Sequence, residues 1–102
     1  MSSISADNRL GGASRFILIN LVLTNANTEY PQPIPVNTRL LSFKPRNIGH
    51  TIKYSWTEGM SGIEYITLTG DTSWSNMVGL SGQTLYFQSP DAGAVVEIEI
   101  GV

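Results

Sequence analysis

Large apolar and polar side chains alternate with a period of two residues through most of the chain between residues 39 and 102. The clearest case is residues 51–57, where Ile52, Tyr54 and Trp56 alternate with polar positions. A period of two is the repeat of a β-strand, in which successive side chains point to opposite faces. The pattern therefore predicts half-buried strands and restricts the chain to a β-rich fold.

Turn residues separate the alternating segments. Asp and Gly at Pro90–Gly93 occupy the places that turn dihedral angles favour. No window combines apolar residues at helical spacing with a cap and a terminator. The predicted strands are residues 16–23, 39–45, 51–57, 63–69, 77–80, 84–88 and 94–100. A chain of 102 residues with this pattern predicts an all-β, single-domain antiparallel β-sandwich or small barrel, jelly-roll-like in type.

The first third of the chain has a different composition. Residues 1–15 hold few apolar side chains and predict a mobile N-terminal arm ahead of a single β-domain at residues 16–102. Residues 16–23 are apolar on both faces, which indicates burial on both sides or a subunit contact. Residues 24–36 are predicted to be an extended loop without regular strand structure, because prolines alternate through them. These are Pro31, Pro33 and Pro35.

Charge is divided unevenly along the chain. Residues 1–53 hold all six basic side chains and two acidic ones, whereas residues 54–102 hold six acidic side chains and no basic one. The two halves are expected to attract each other, either between strands of one chain or between neighbouring copies. The formal net charge of -2 is too small to indicate a nucleic-acid or membrane partner.

Targeting and redox signals are weak. The longest apolar stretch, residues 16–23, is too short for a membrane helix, and the N-terminus lacks the pattern of a secretory signal. We therefore expect a soluble protein synthesised in the cytoplasm. The absence of cysteine excludes disulfides and leaves the redox compartment open.

No cluster of residues typical of catalysis occurs in the sequence. His50, the sole histidine, lies in a predicted turn and is expected to face solvent. Glu97 and Glu99 lie on one strand face at a spacing that a carboxylate pair could use, but a charged solvent-facing surface explains them better. Asp71 and Asp91 fit turn formation better than calcium binding. We predict no enzymatic activity, no cofactor and no metal.

Trp74 stands in the polar segment Thr72-Ser73-Trp74-Ser75-Asn76, which is predicted to be a loop. Two interpretations stay open. An exposed tryptophan can stack on a sugar or anchor a protein contact. Alternatively, the ring folds back over the end of the sheet.

Strand and turn residues from position 37 onward carry a family resemblance. They are Asn37-Thr38, Phe43-Lys44, Arg46, Ile52-Lys53-Tyr54, Gly62, Tyr65, Thr67-Leu68, Gly70, Leu80, residues 82–89 and residues 92–99. In this pattern the chain resembles small all-β proteins encoded among the head and structural genes of tailed bacteriophages. Residues 1–36 lie outside the resemblance.

The resemblance implies a non-enzymatic virion protein, a capsid decoration or cement protein of the phage head. Its partners would be the major capsid protein or other virion proteins, and it would form a homo-oligomer, with a trimer favoured. The alternative is a tail- or fibre-associated module that recognises a host glycan through Trp74 and its neighbours. The predicted contact residues are Arg9, Arg15, Phe16, Leu18, Pro31, Pro33, Pro35, Arg39, Arg46 and Trp74.

Overall fold

The computed structural model describes residues 15–76 and 82–102, and these ranges contain eight β-strands. The strands are β1 (Phe16–Leu23), β2 (Tyr30–Pro33), β3 (Leu40–Pro45), β4 (Ile52–Ser55), β5 (Ile66–Leu68), β6 (Trp74–Asn76), β7 (Thr84–Gln88) and β8 (Ala94–Gly101). Residues 1–14 of the arm predicted at 1–15 and the strand predicted at 77–80 lie outside the described residues. Across the described ranges, no helix is long and apolar enough to cross a membrane.

The strands form two antiparallel sheets of four strands each. Sheet A has the order β1-β8-β3-β6, and sheet B has the order β2-β7-β4-β5. The first strand therefore pairs with the eighth, the second with the seventh, the third with the sixth and the fourth with the fifth. This order is that of a jelly roll, so the predicted all-β sandwich of jelly-roll type is confirmed.

The core lies between the two sheets and follows the period-two pattern. In β8 the inward residues Val96, Ile98 and Ile100 are buried, while Glu99 is exposed. Phe43 of β3 packs at the centre, with its ring centroid 5.1 Å from those of Tyr54 and Phe87 across the sandwich. Burial of one large apolar side chain contributes about 1.5–3 kcal/mol, so these facing rows hold the sheets together.

Strand β2 corrects the prediction that residues 24–36 form a loop without regular strand structure. Tyr30 and Gln32 pair with Phe87 and Leu85 of β7, and the Ile34 N–H donates to the Gln83 carbonyl at 2.8 Å. Backbone groups alternate in direction along a strand, so the missing N–H groups of Pro31 and Pro33 fall on the solvent side of this edge strand. The alternate spacing of the prolines is therefore compatible with an edge strand.

Strand β6 corrects the prediction that Trp74 lies in a loop. Residues 74–76 pair with β3, with Trp74 opposite Phe43 and Ser75 opposite Ser42. Three residues are too few to show the alternation that marks the longer strands. Strand β6 is held by its ladder to β3 and by the packing of one aromatic side chain. The predicted strand at 63–69 is also shorter, since β5 begins at Ile66.

Candidate interaction surface

The outer edge of β1 has no hydrogen-bonding partner within the described residues. Arg15 and Val102 exchange two backbone hydrogen bonds, of 3.3 and 3.0 Å, which fixes the phase of the β1–β8 ladder. From this phase, every second residue after Arg15 directs its N–H and C=O groups toward β8. The residues between them direct both groups away from the sheet. They are Phe16, Leu18, Asn20 and Val22.

Apolar side chains surround this free edge on both faces of the strand. On the outer face of sheet A, Leu18 is 74% exposed, Val22 49% and Phe16 39%. On the inner face, Ile17, Ile19 and Leu21 are only partly buried against the core. The predicted division of these side chains between two faces is confirmed, and β1 leaves apolar surface uncovered on both.

The other three sheet edges are short or blocked among the residues that the structure describes. Strands β5 and β6 have three residues each, and β2 has four, two of which are prolines. Short strands and prolines are the usual means by which proteins prevent edge-to-edge pairing. Strand β1 has eight residues, no proline and no charged side chain. It is therefore the one long unprotected edge in the described part of the sandwich.

A shallow depression of about 400 Å³ lies beside β1 on the outer face of sheet A. Its polar side comes from β3 and β8, where Glu97 accepts from Lys44 Nζ at 2.9 Å and from Arg46 Nε at 3.0 Å. The hydrogen bond from Lys44, followed in importance by that from Arg46, holds the pKa of the Glu97 carboxyl below its usual value. The basic and acidic halves of the chain thus meet here within one molecule, which was one of the two expected arrangements.

The predicted contact residues divide between several parts of the sandwich. Phe16 and Leu18 lie together on the outer face of β1, and Arg46 lies two strands away on the same sheet, paired with Glu97. Arg15 and Arg39 are exposed at the end of this sheet, where their backbone N–H groups donate to the Val102 and Gly101 carbonyls. Three prolines lie on or after β2, the edge strand of the other sheet. These are Pro31, Pro33 and Pro35, all exposed, whereas Arg9 lies outside the described residues.

Trp74 lies at the opposite edge of sheet A from β1. Its ring is half-buried and stacks on Phe43 at 5.1 Å, with Trp56 at 6.1 Å and Tyr54 at 6.4 Å. Burial raises the pKa of the Tyr54 hydroxyl in this cluster. The ring is thus packed over the end of the core, as the second of the two interpretations described.

Tyr65 is an exposed aromatic residue at this end of the sandwich, and it is not among the contact residues predicted from the sequence. It lines an open cleft of about 470 Å³ together with Trp56, Glu64 and Ile66. Lys53 Nζ lies 4.6 Å from the centre of the Tyr65 ring, a cation–π contact. The residue lies in the irregular segment before β5, where no period marks one face from the other.

His50 departs from the prediction of a solvent-facing side chain. Its N–H donates to the Asn47 carbonyl at 3.0 Å, so it does lie in a turn, but the side chain is half-buried. The Nδ1 atom is buried and has no hydrogen-bond partner in the described part of the chain. Asp71 has the turn role expected of it, since its carboxylate accepts from the Thr69 hydroxyl at 2.6 Å. Asp91 also lies in a turn, where its carbonyl accepts from the Ala94 N–H at 3.1 Å, but its carboxylate makes a tertiary contact, accepting from the Thr51 N–H at 3.0 Å.

Glu29 makes a tertiary contact that the sequence did not predict. Its carboxylate accepts from the Gly59 N–H at 2.8 Å, the Ser61 N–H at 3.1 Å and the Ser61 hydroxyl. Burial alone would raise the pKa of Glu29, but these hydrogen bonds outweigh burial and lower it. The contact fastens the β1–β2 connection to the β4–β5 connection, thirty residues away in sequence, and no local pattern indicates it.

Comparison with known proteins assigns the chain to no family. No protein-family model matches the chain, and no curated protein matches it. Among solved structures, it is similar to a de novo designed double-stranded beta-helix determined by NMR in solution, with 13% sequence identity and a TM-score of 0.49. The similarity covers 86% of this chain and 97% of the designed one. So distant a likeness carries no functional information, and the jelly-roll assignment stands on the strand order.

Proposed function

We propose that this chain is a non-enzymatic structural protein of a bacteriophage virion, a decoration or cement protein that binds the head shell as a homo-oligomer. The observation that carries the proposal is the β1 edge. It combines backbone groups that have no hydrogen-bond partner within the described residues with the exposed apolar side chains of Leu18, Val22 and Phe16. A small protein that acts by covering a lattice needs contact surfaces of this kind rather than a reactive centre.

Two further features support an assembly role. The exposed prolines of β2 follow β1 in the chain, so an extended segment with few hydrogen-bond donors lies at the edge of the second sheet. The resemblance of residues 37–102 to small all-β head and structural proteins of tailed phages points in the same direction. Repeated copies on a shell would let individually weak contacts act together.

The test is binding to purified phage particles that lack the protein. We expect the chain to sediment with the particles and, in electron micrographs, to give density at positions related by the shell symmetry. Density at the tail or fibres alone would contradict the assignment to the head. No binding to the particles would contradict the decoration role itself.

A second candidate function is recognition of a host-surface glycan by a tail- or fibre-associated domain. The cleft at Trp56, Glu64 and Tyr65 favours it, because an exposed aromatic ring beside a carboxylate is a surface on which a sugar can stack and hydrogen-bond. Tyr65→Ala is a better probe than Trp74→Ala, since Trp74 is stacked on the core residue Phe43. Glycan binding that is lost in Tyr65→Ala while the melting temperature is unchanged would favour this function.

A further inference from the structure

We propose that β1 pairs with β1 of a second copy of the chain, antiparallel and across a two-fold axis at Ile19. Sheet A would then continue through both copies as one sheet of eight strands. The proposed function rests on the β1 edge, and this inference states that a second copy of the chain binds there. It is tested with the purified chain alone, so that its failure and the failure of shell binding are separate results.

The backbone of β1 determines the register. An antiparallel neighbour forms hydrogen-bonded pairs only between residues whose N–H and C=O groups face each other. With Ile19 opposite Ile19, Phe16 faces Val22 of the second copy and Leu18 faces its Asn20. All four residues with outward backbone groups are then paired in both copies, which gives about eight new hydrogen bonds. If the axis lay at Leu18 instead, Val22 would have no partner within β1 of the second copy. If it lay at Asn20, Phe16 would have none.

The side chains of β1 are compatible with self-pairing about Ile19. Reading outward in either direction from Ile19, Ile17 corresponds to Leu21 and Phe16 to Val22, so apolar residues meet apolar residues on both faces. The remaining correspondence, Leu18 with Asn20, involves no charge. Cross-strand contacts of this type stabilise a sheet, and no like charges face each other across the two-fold axis.

A two-fold contact also accounts for the surface that a single copy leaves uncovered. The partly buried Ile17, Ile19 and Leu21 lie on the inner face at the edge of the sandwich, where a neighbouring strand would cover them. On the outer face, Leu18 and Val22 would gain cross-strand neighbours. An isologous contact of this kind closes at two copies, so the unit is a dimer rather than the trimer that the resemblance implies.

Cysteine cross-linking tests the partner and the register together, because the chain contains no cysteine of its own. In the proposed pair, the two Ile19 Cα atoms lie about 4.5 Å apart, within disulfide reach. We expect Ile19→Cys to oxidise to a disulfide-linked dimer. The matched control is Ile17→Cys, which lies on the same face and is partly buried in the same way. Its two copies would be offset by four residues and beyond disulfide reach.

Equal cross-linking of Ile19→Cys and Ile17→Cys, or no cross-linking of a folded Ile19→Cys, would overturn the register. If Ile19→Cys does not fold, a mixture of the exposed variants Leu18→Cys and Asn20→Cys decides the same question. The proposal predicts disulfide-linked dimers in the mixture and none in either variant alone.

A charge at the edge tests the interface without cysteines. Leu18→Lys adds a lysine to the unprotected edge, the device that natural edge strands use against pairing. We expect its dimer dissociation constant to rise at least about tenfold. The control is Ile63→Lys, an equally exposed isoleucine distant from β1, for which no change is expected. A monomeric wild-type chain at high concentration, a trimer, or equal weakening by both lysines would overturn the proposal.

Discussion

Among individual residues, Glu29 makes a tertiary contact that depends on its protonation state. Its carboxylate accepts three hydrogen bonds from Gly59 and Ser61, and its pKa is lowered in the folded chain. A carboxyl whose folded pKa is lowered contributes stability above its unfolded pKa, and this contribution is lost as the pH falls through the folded pKa. Replacing Glu29 with a neutral side chain should therefore lower the free energy of unfolding at neutral pH and leave it unchanged in acid.

We predict that Glu29→Gln lowers the free energy of unfolding by about 1–3 kcal/mol at pH 7, because hydrogen bonds to a charged acceptor are lost. The measurement is urea unfolding at a series of pH values, with Glu58→Gln in the β4–β5 connection as the control. The difference from wild type should narrow as the pH falls below the range in which Glu29 titrates. A difference that is equal at pH 7 and in acid would show that the charge of Glu29 does not contribute.

Gly70 is a position where a backbone crossing excludes any side chain. A Cβ atom placed there would lie 2.1 Å from the carbonyl oxygen of Ile48. Gly70→Ala must push the two turns apart, and we predict a loss of about 1–3 kcal/mol in the free energy of unfolding. Gly49→Ala is the matched control, since its Cβ would meet only the Asn47 side chain at 3.4 Å. Equal effects of the two substitutions on chemical denaturation would contradict this close approach.

Phe43 is the residue through which the two sheets and the Trp74 edge are joined. Its ring contacts Tyr54, Phe87 and Trp74, each at a centroid distance of 5.1 Å. We predict that Phe43→Ala costs about 3–5 kcal/mol of unfolding free energy, measured by chemical denaturation, because it leaves a cavity between all three rings. Ile63→Ala, which removes an exposed apolar side chain, should stay within about 0.5 kcal/mol. A small effect at Phe43 would mean that the cluster does not hold the sheets together.

At the scale of elements, the sequence predicts the strands whose side chains alternate over several residues. Strands β1 and β7 match their predicted bounds, and β3 and β8 differ by one residue at one end. In β7 and β8 one face is buried between the sheets, so the period of burial appears directly in the sequence. Strand β1 is predicted instead from its mostly apolar run of eight residues. The single-sequence pattern therefore predicts the body of the sandwich.

The edge strands are less predictable. In β2 the prolines argue against a strand in the sequence, although the hydrogen bonds to β7 use only the positions that alternate with them. In β6 three residues are too few to show a period. The candidate surface is predictable only in part for a related reason. That β1 is apolar on both faces can be read from the sequence, but its place at a sheet edge depends on pairing with β8, more than seventy residues away.

The prolines of β2 are predicted to act as edge protection. Replacing Pro31 and Pro33 together with threonine would supply two outward N–H groups to a strand that is already paired with β7. We expect the fold to be retained and self-association to increase, because a blocked edge becomes available for pairing. The check is sedimentation velocity over a concentration series. Unchanged association in a folded variant would show that proline does not protect this edge.

At the scale of the whole molecule, one edge of the sandwich distinguishes this chain from a self-contained jelly roll. Three of the four sheet edges in the described part of the chain are short or carry prolines, and the fourth is long, apolar and unprotected. In a monomeric protein such an edge promotes unwanted pairing with other chains, whereas in a subunit that assembles it can form an interface. The β1 edge therefore joins the fold to the proposed assembly role.

Residue-resolved amide hydrogen exchange of the wild-type chain tests this claim most directly. The amides of Ile17, Ile19 and Leu21 are bonded to β8, and they should exchange slowly whether or not the edge is paired. We expect the outward amides of Leu18 and Asn20 to be protected as well at concentrations where the chain is dimeric, and to lose that protection on dilution. Fast exchange at Leu18 and Asn20 beside slow exchange at Ile17, Ile19 and Leu21, at every concentration, would show that the edge is free and would contradict the claim.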